Sequence, residues 1–289
     1  MQQRLLCMVQ KNTDINHSLS YSLRMNTDIL QDIFSRFSQG MLDEKSALAE
    51  ARRYLACRAA EDSLHGLCLD PGRNLRTSLG EVVFAQGKSQ KSLLNAVSGL
   101  SIHGPVLVSR VKPAQAKALQ DAFPKGLYWP DARLFSLNGS NDFAQNHLPP
   151  WPQTGKIMVV SAGAADLPVA LEAFGSLCFW GISCGFISDA GIAGLHRLTP
   201  HLPALHAAHA IIAVAGMEGA LPGVLAGLTP APVLAVPTSV GYGVGAGGFA
   251  ALAGMLCSCV PGISVVNIDN GFGAAAFAAK MIKQVREKN

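Results

Sequence analysis

The chain has 289 residues, of which 49% are hydrophobic and 15% charged, enough for a large core and too apolar for a disordered chain. A formal charge of +4, with no basic cluster interleaved with aromatics, gives a nucleic-acid interface no support. Seven dispersed cysteines suit a reducing cytoplasm better than a disulfide scaffold, and Cys257 and Cys259 form a C-x-C rather than a zinc-type C-x-x-C pair.

The length fits one large or two modest domains. Residues 1–26 read as a polar, disordered extension whose apolar run is too short for a signal peptide. Thr27 is a candidate N-cap for a helix with Ile29, Ile33, Phe34 and Phe37 at helical spacing, closed by Gly40. A second helix from about Asp43 completes a helical hairpin. Residues 69–89 gather Asp70, Arg73, Arg76, Glu81 and Lys88 around a short strand, Val82–Phe84. Two readings stand: a solvated, salt-bridged loop, or an anion-binding face built on the planar fork of arginine. A strand at 105–109, a helix at 112–122 and a strand near 133–137 complete a small α/β domain over 27–137. The aperiodic, Pro-rich stretch 138–155 reads as a linker.

From Lys156 strands and helices alternate: a strand at 156–161, a helix opened by Asp166, a strand at 182–187, and a last helix at 272–287. Between them, residues 211–273 hold three apolar runs that each end in a glycine-rich or polar turn. No charged side chain lies between Glu218 and Asp269. Pro222, Pro230, Pro232 and Pro237 cut this segment into pieces shorter than the ~20 residues of a membrane span, so it is a core. The pattern predicts an α/β fold: a doubly wound parallel sheet in three layers over 156–289, behind the smaller N-terminal domain. Loops at the C-terminal ends of such strands hold binding sites, and here they are read to carry Glu218, Ser239, Tyr242, Cys257, Cys259, Asn267, Asp269 and Asn270.

Several residues have both a structural and a chemical reading. Cys259 is either an inert thiol or a nucleophile. Glu218 is either a carboxylate at a helix N-terminus or a general acid or base at a strand end. Asp166 is a helix N-cap first and a ligand residue second, in a loop that is neither a Walker loop nor a G-x-G-x-x-G fingerprint. The adjacent His196 and Arg197 suit a carboxylated or phosphorylated ligand. His201, His206 and His209 lack metal spacing and read as structural, and no metal site is expected.

Taken together, AADLPVALEA, DAGIAGLHRL, AVAGMEGALPGVLAGL, PVLAVPTSVGYG, MLCSC and VVNIDNGFGAA resemble the LarB family, the pyridinium-3,5-biscarboxylic acid mononucleotide synthases of nickel-pincer cofactor synthesis. The C-terminal half is also similar to the PurE-type aminoimidazole ribonucleotide carboxylases, with Glu218 and the cysteine motif favouring LarB. The resemblance implies nicotinic acid adenine dinucleotide as substrate and CO2 or bicarbonate as co-substrate. It implies no tightly bound cofactor, with Mg2+ a candidate aid to hydrolysis, and a homo-oligomer, an octamer. It makes Cys259 the covalent nucleophile, with Glu218 or His196 handling the proton. Arg197 would hold a carboxylate or phosphate, and Asp166 the ribose-phosphate. Ser239, Tyr242, Asp269 and Asn270 fall among the substrate-binding loops, and Arg73, Arg76 and Glu81 match an N-terminal D-x-x-R-x-x-R…E pattern on the dinucleotide side. Three positions depart from the family: Ala164-Ala165 replace Thr-Ser, Cys257 replaces an amide, and Ser78-Leu79-Gly80-Glu81 replaces Gly-Phe-Pro-Glu. The competing readings are a PurE-type carboxylase acting on an imidazole ribonucleotide, and a non-catalytic nucleotide-binding relative.

Overall fold

The computed structural model describes residues 30–58, 63–64 and 67–287. The extension read at 1–26, and the Thr27 cap, lie outside the described residues. A helix over 30–38 (α1) packs beside α2 (Glu44–Arg58), where Asp43 accepts the Ser46 amide at 2.6 Å as the N-cap. Arg36 on α1 reaches Asp32 at 2.8 Å and Glu50 on α2 at 2.6 Å. Of the apolar positions read on α1, Ile33 is buried, whereas Phe34 and Phe37 are exposed.

A two-stranded ribbon, β1 (Ser63–Leu64) and β2 (Leu67–Cys68), leads to α3 (Arg73–Thr77) and a four-stranded sheet. That sheet has the order β3-β4-β6-β5, with β3 (Val82–Phe84), β4 (Val106–Ser109), β5 (Leu127–Trp129) and β6 (Leu134–Leu137). β3 and β4 are parallel; the other pairs are antiparallel. α4 (Gln90–Ser101) and α5 (Pro113–Ala122) cover one face through Leu93, Val97, Leu100, Val106, Val108 and Phe135. Because side chains alternate along a strand, Leu107 of β4 points to the other face, where it joins Trp129 and Leu134 in the core of the C-terminal half.

The C-terminal sheet has the order β11-β10-β9-β7-β8, all parallel, made of β7 (Ile157–Ser161), β8 (Cys184–Ile187), β9 (Ala210–Ala215), β10 (Val233–Pro237) and β11 (Ile263–Val265). Numbered from its own first strand this is the 2-1-3-4-5 order of flavodoxin-like folds. α7 (Leu167–Phe179) and α11 (Gly271–Glu287) cover one face over Ile157, Val159, Ile212, Val214 and Val236. α8 (Leu202–Ala207), α9 (Leu221–Leu228) and α10 (Phe249–Leu256) lie on the other, over Met158, Val160, Ile211, Ala213 and Ala235. Burial on both faces explains why these strands are continuous apolar runs.

Residues 138–155, read as a linker, form a packed connection between the two sheets. They form α6 (Asn141–Asn146), started by Ser140, whose hydroxyl accepts the Phe143 amide at 3.4 Å. Phe143 is buried 5.8 Å from the Trp129 ring, and Trp151 lies 4.8 Å from Phe186. Aromatics in a polar stretch carried the signal that its composition masked. No helix among the described residues is long and apolar enough to cross a membrane.

Candidate functional site

In this strand order the chain leaves β7 in one direction and returns to β9 on its other side, so the loops after β7 and β9 splay apart. A cavity of about 400 Å³ opens there, lined by Gly163, Asp166, Asp189, Arg197, Gly216 and Glu218 among others. Sequence reasoning had singled out Asp166, Arg197 and Glu218, and the fold brings all three to one cavity.

Asp166 occupies the N-cap position of α7, but its side chain makes no capping bond to that helix. Its Oδ2 accepts the Gly163 amide at 3.0 Å and its Oδ1 accepts the Thr238 hydroxyl at 2.6 Å, tying the loop after β7 to the end of β10. Burial pushes the Asp166 carboxyl above the usual carboxylate range. Bonds from Thr238, Gly163 and Gly216 oppose that rise, and the charge of Asp269 adds to it. Arg197 donates from Nη1 to Asp189 Oδ2 at 2.7 Å, while its Nε is buried with no protein acceptor. Arg197 lines the cavity with its guanidinium held by Asp189, a planar fork suited to an anionic ligand.

Glu218 stands on a tight turn after β9, in which Met217 has φ 54° and Gly219 φ 69°. Side chains would not fit around it. A Cβ on Gly216 would meet the Val240 carbonyl, and one on Gly254 of α10 would meet the carbonyl of Glu218 itself. His196 is exposed and does not line the cavity.

Ser239 and Asp269 border a second cleft of about 480 Å³. The Ser239 amide donates to Asp269 Oδ1 at 2.8 Å, and the Asp269 amide to the Pro237 carbonyl at 2.8 Å. Asn270 caps α11, its Oδ1 accepting the Gly273 amide at 2.9 Å. Tyr242 is 77% exposed and lines neither cavity.

Cys257 and Cys259 are exposed. They lie just past the C-terminal end of α10, in the turn before β11. Cys259 is outside the cavity lining, although its turn adjoins the site's scaffold: Ser258 Oγ lies against Gly223 of α9, and Gly254 against Glu218.

The N-terminal candidates sit elsewhere. Arg76 grips Asp70 at 3.0 and 2.5 Å, and Glu81 accepts the Asp70 amide at 2.6 Å, so this part of the motif is folded onto itself. Arg73 is exposed beside Trp180 and Lys280. Trp180 follows the C-terminal end of α7, whereas Asp166 precedes its start, and the 13 residues between span roughly 20 Å at 1.5 Å each.

Sequence reasoning missed the junction between the domains. Arg110, directly after β4, donates from Nε to Glu172 Oε1 at 3.3 Å, from Nη1 to Gln86 at 3.4 Å, and from Nη2 to the Asp269 carbonyl. Glu172 Oε2 also accepts the Phe272 amide at 3.2 Å. Burial pushes the Glu172 carboxyl up, against the opposing pull of Arg110 and that amide. Glu172 is the single charge in the helix sequence LPVALEAFGSLCF, the signal that could have found it. Among the described residues no group of three or more His, Cys, Asp or Glu side chains is placed to hold a metal.

Two family models match this chain in sequence order: the LarB/PurE-like N-terminal domain over residues 46–139 and AIR carboxylase over residues 156–288. An uncharacterized protein of Methanocaldococcus jannaschii, MJ0165, is 36% identical over 258 residues, covering 88% of this chain and 97% of that protein. An N-terminal α/β domain of this type, clamped to a PurE-like sheet with Asp, Arg and Glu at its switch point, places the chain in the LarB family, within the LarB/PurE-like carboxylases.

Proposed function

We propose that this protein is a cytoplasmic enzyme that carboxylates the nicotinate ring of nicotinic acid adenine dinucleotide at C5 and hydrolyses the phosphoanhydride. The products are AMP and pyridinium-3,5-biscarboxylic acid mononucleotide, for nickel-pincer cofactor synthesis. CO2, or bicarbonate as its source, is the co-substrate. The observation that carries this reading is the meeting of Asp166, Glu218 and Arg197 in one cavity.

A cationic pyridinium is a poor carbon nucleophile. Addition of the Cys259 thiolate at C4 cancels the ring charge and leaves an enamine, whose C5 attacks CO2. Loss of the C5 proton and expulsion of the thiolate then restore the aromatic ring. Glu218, on the cavity wall, is better placed for that proton than the exposed His196. Arg197 holds an anionic group of the substrate, and Asp166 fixes the loop against which the ribose-phosphate rests. Cys259 is outside this chain's cavity, so the scheme places a Cys259 thiol at the cavity mouth through assembly of a homo-oligomer, an octamer. Its exposure keeps it open to such a contact.

The test is mass spectrometry of the products from the dinucleotide and labelled bicarbonate, with and without Mg2+. Label should enter the mononucleotide product, and Cys259→Ser should abolish it; normal turnover by that variant rules out the covalent route. The AIR carboxylase match favours one competitor, carboxylation of an imidazole ribonucleotide, which would proceed in the Cys259→Ser variant.

A further inference from the structure

We propose that the seam between α3 and α11 holds a second ligand site, outside the catalytic cavity, for a small carboxylate with a flat apolar body, its carboxylate taken by Arg73 and Lys280. The site is independent of the carboxylation reading above.

A pocket of about 160 Å³ lies on this seam. Phe272, Ala276 and Lys280 line it from one face of α11, where they recur every four residues. Arg73 of α3 and Leu79 of the turn after it line the opposite side, and Trp180 lies between the two. The seam is a fixed contact: Lys283 of α11 donates to the Ser78 carbonyl at 2.6 Å. The turn itself is set by Ser78, which has φ 62° and donates its amide to the Asn74 carbonyl at 2.9 Å. The pocket shares no lining residue with the cavity of Asp166 or the cleft of Ser239. Trp180 is at the opposite end of α7 from Asp166.

Two cations line this pocket and no carboxylate does. Neither Arg73 nor Lys280 has an ion-pair partner among the described residues. The acids next to α3 are engaged elsewhere: Asp70 is held by Arg76, and Glu81 accepts the Asp70 amide at 2.6 Å. Two unneutralised positive charges at one pocket favour an anion. The floor decides which kind. Leu79 is buried, and the rings of Trp180 and Phe272 stand 5.7 Å apart at 55°. The Thr77 hydroxyl is turned to the carbonyls of Arg73 and Leu79, at 3.0 and 2.9 Å. Phosphate needs donors on every side, and on such a floor its lost water would go unreplaced. A flat apolar body fits there, while a carboxylate at the rim meets the exposed Arg73 and Lys280 and keeps water on its outer side. An apolar cavity of about 150 Å³ admits a benzene ring. The occupant is therefore a single-ring acid and not a nucleotide.

The experiment is ligand-observed fluorine NMR of para-fluorobenzoate with the full chain, native and as Arg73→Ala, Lys280→Ala, Lys280→Arg and the double alanine variant. Both residues are exposed, so an unchanged thermal unfolding curve is the control for folding. The native protein should bind the probe at millimolar concentration or below, and para-fluorobenzyl alcohol, which lacks the charge, at least tenfold more weakly. Each alanine variant should lose at least threefold in affinity and the double variant at least tenfold, while Lys280→Arg should stay within twofold. Inorganic phosphate at equal concentration should not displace the probe. No binding to the native protein, equal affinity in the double variant, equal affinity for the alcohol, or displacement by phosphate overturns the proposal. So does loss of probe binding in Arg197→Ala, which would move the probe to the catalytic cavity. Carboxylation is read separately by the labelled-bicarbonate assay, so either reading can fail without the other.

Discussion

Asp166 is a carboxylate held where ionisation is costly, and its surroundings fix the sign of a pH effect. Burial outweighs the bonds from Thr238, Gly163 and Gly216, so the folded chain holds this proton more tightly than the unfolded one. Its contribution to stability is therefore full below the unfolded value of about 4 and is lost as pH rises through the higher folded value. Measured against Asp166→Asn by urea midpoints, the native protein should lose relative stability across that window; a flat or opposite trend would show that the hydrogen bonds prevail. At this scale the sequence was legible where a charge interrupts an apolar run after a strand, as with Glu218 and Asp166. It was silent about Thr238, because only the pairing of β10 with β9, and of β9 with β7, brings residue 238 to residue 166. Arg133, in a polar turn, offered no local signal of the second cleft, which it lines.

The elements behave as close-packed pieces whose small residues are contacts. Gly254 lets α10 rest against the Glu218 carbonyl. Gly254→Ala should therefore push the Glu218 turn away, lowering stability by about 1–3 kcal/mol and lowering product formation by more than the lost folded fraction explains; urea denaturation beside a turnover assay would show the difference. The parallel strands were readable from their apolar runs and glycine stops, because burial on both faces leaves few other residue choices. α4 was not among the expected elements, although Leu93, Ala96, Val97 and Leu100 sit at helical spacing behind the Ser89 cap.

At the scale of the molecule, one chain leaves apolar surface uncovered. Val244, Phe249 and Leu256 on and before α10 are exposed, as are Phe34 and Phe37 on α1, while β11 forms a half-buried edge. Contiguous exposed apolar surface marks an association face. Static light scattering of the purified protein should give a homo-oligomer, with eight copies the expected number, and a monomer at micromolar concentration would contradict it. The two-layer and three-layer plan followed from strand–helix alternation, but the way the two halves meet did not, since it depends on Leu107, Trp129 and Phe174 joining one core. The Arg110 contacts tie the two halves together across that seam. A fragment starting at residue 156 would keep Glu172 inside its own helix layer with no cation beside it, and would leave the Asp269 carbonyl without its donor. The C-terminal half thus carries within it an acid, Glu172, whose neighbouring cations Arg110 and Arg133 belong to the other half.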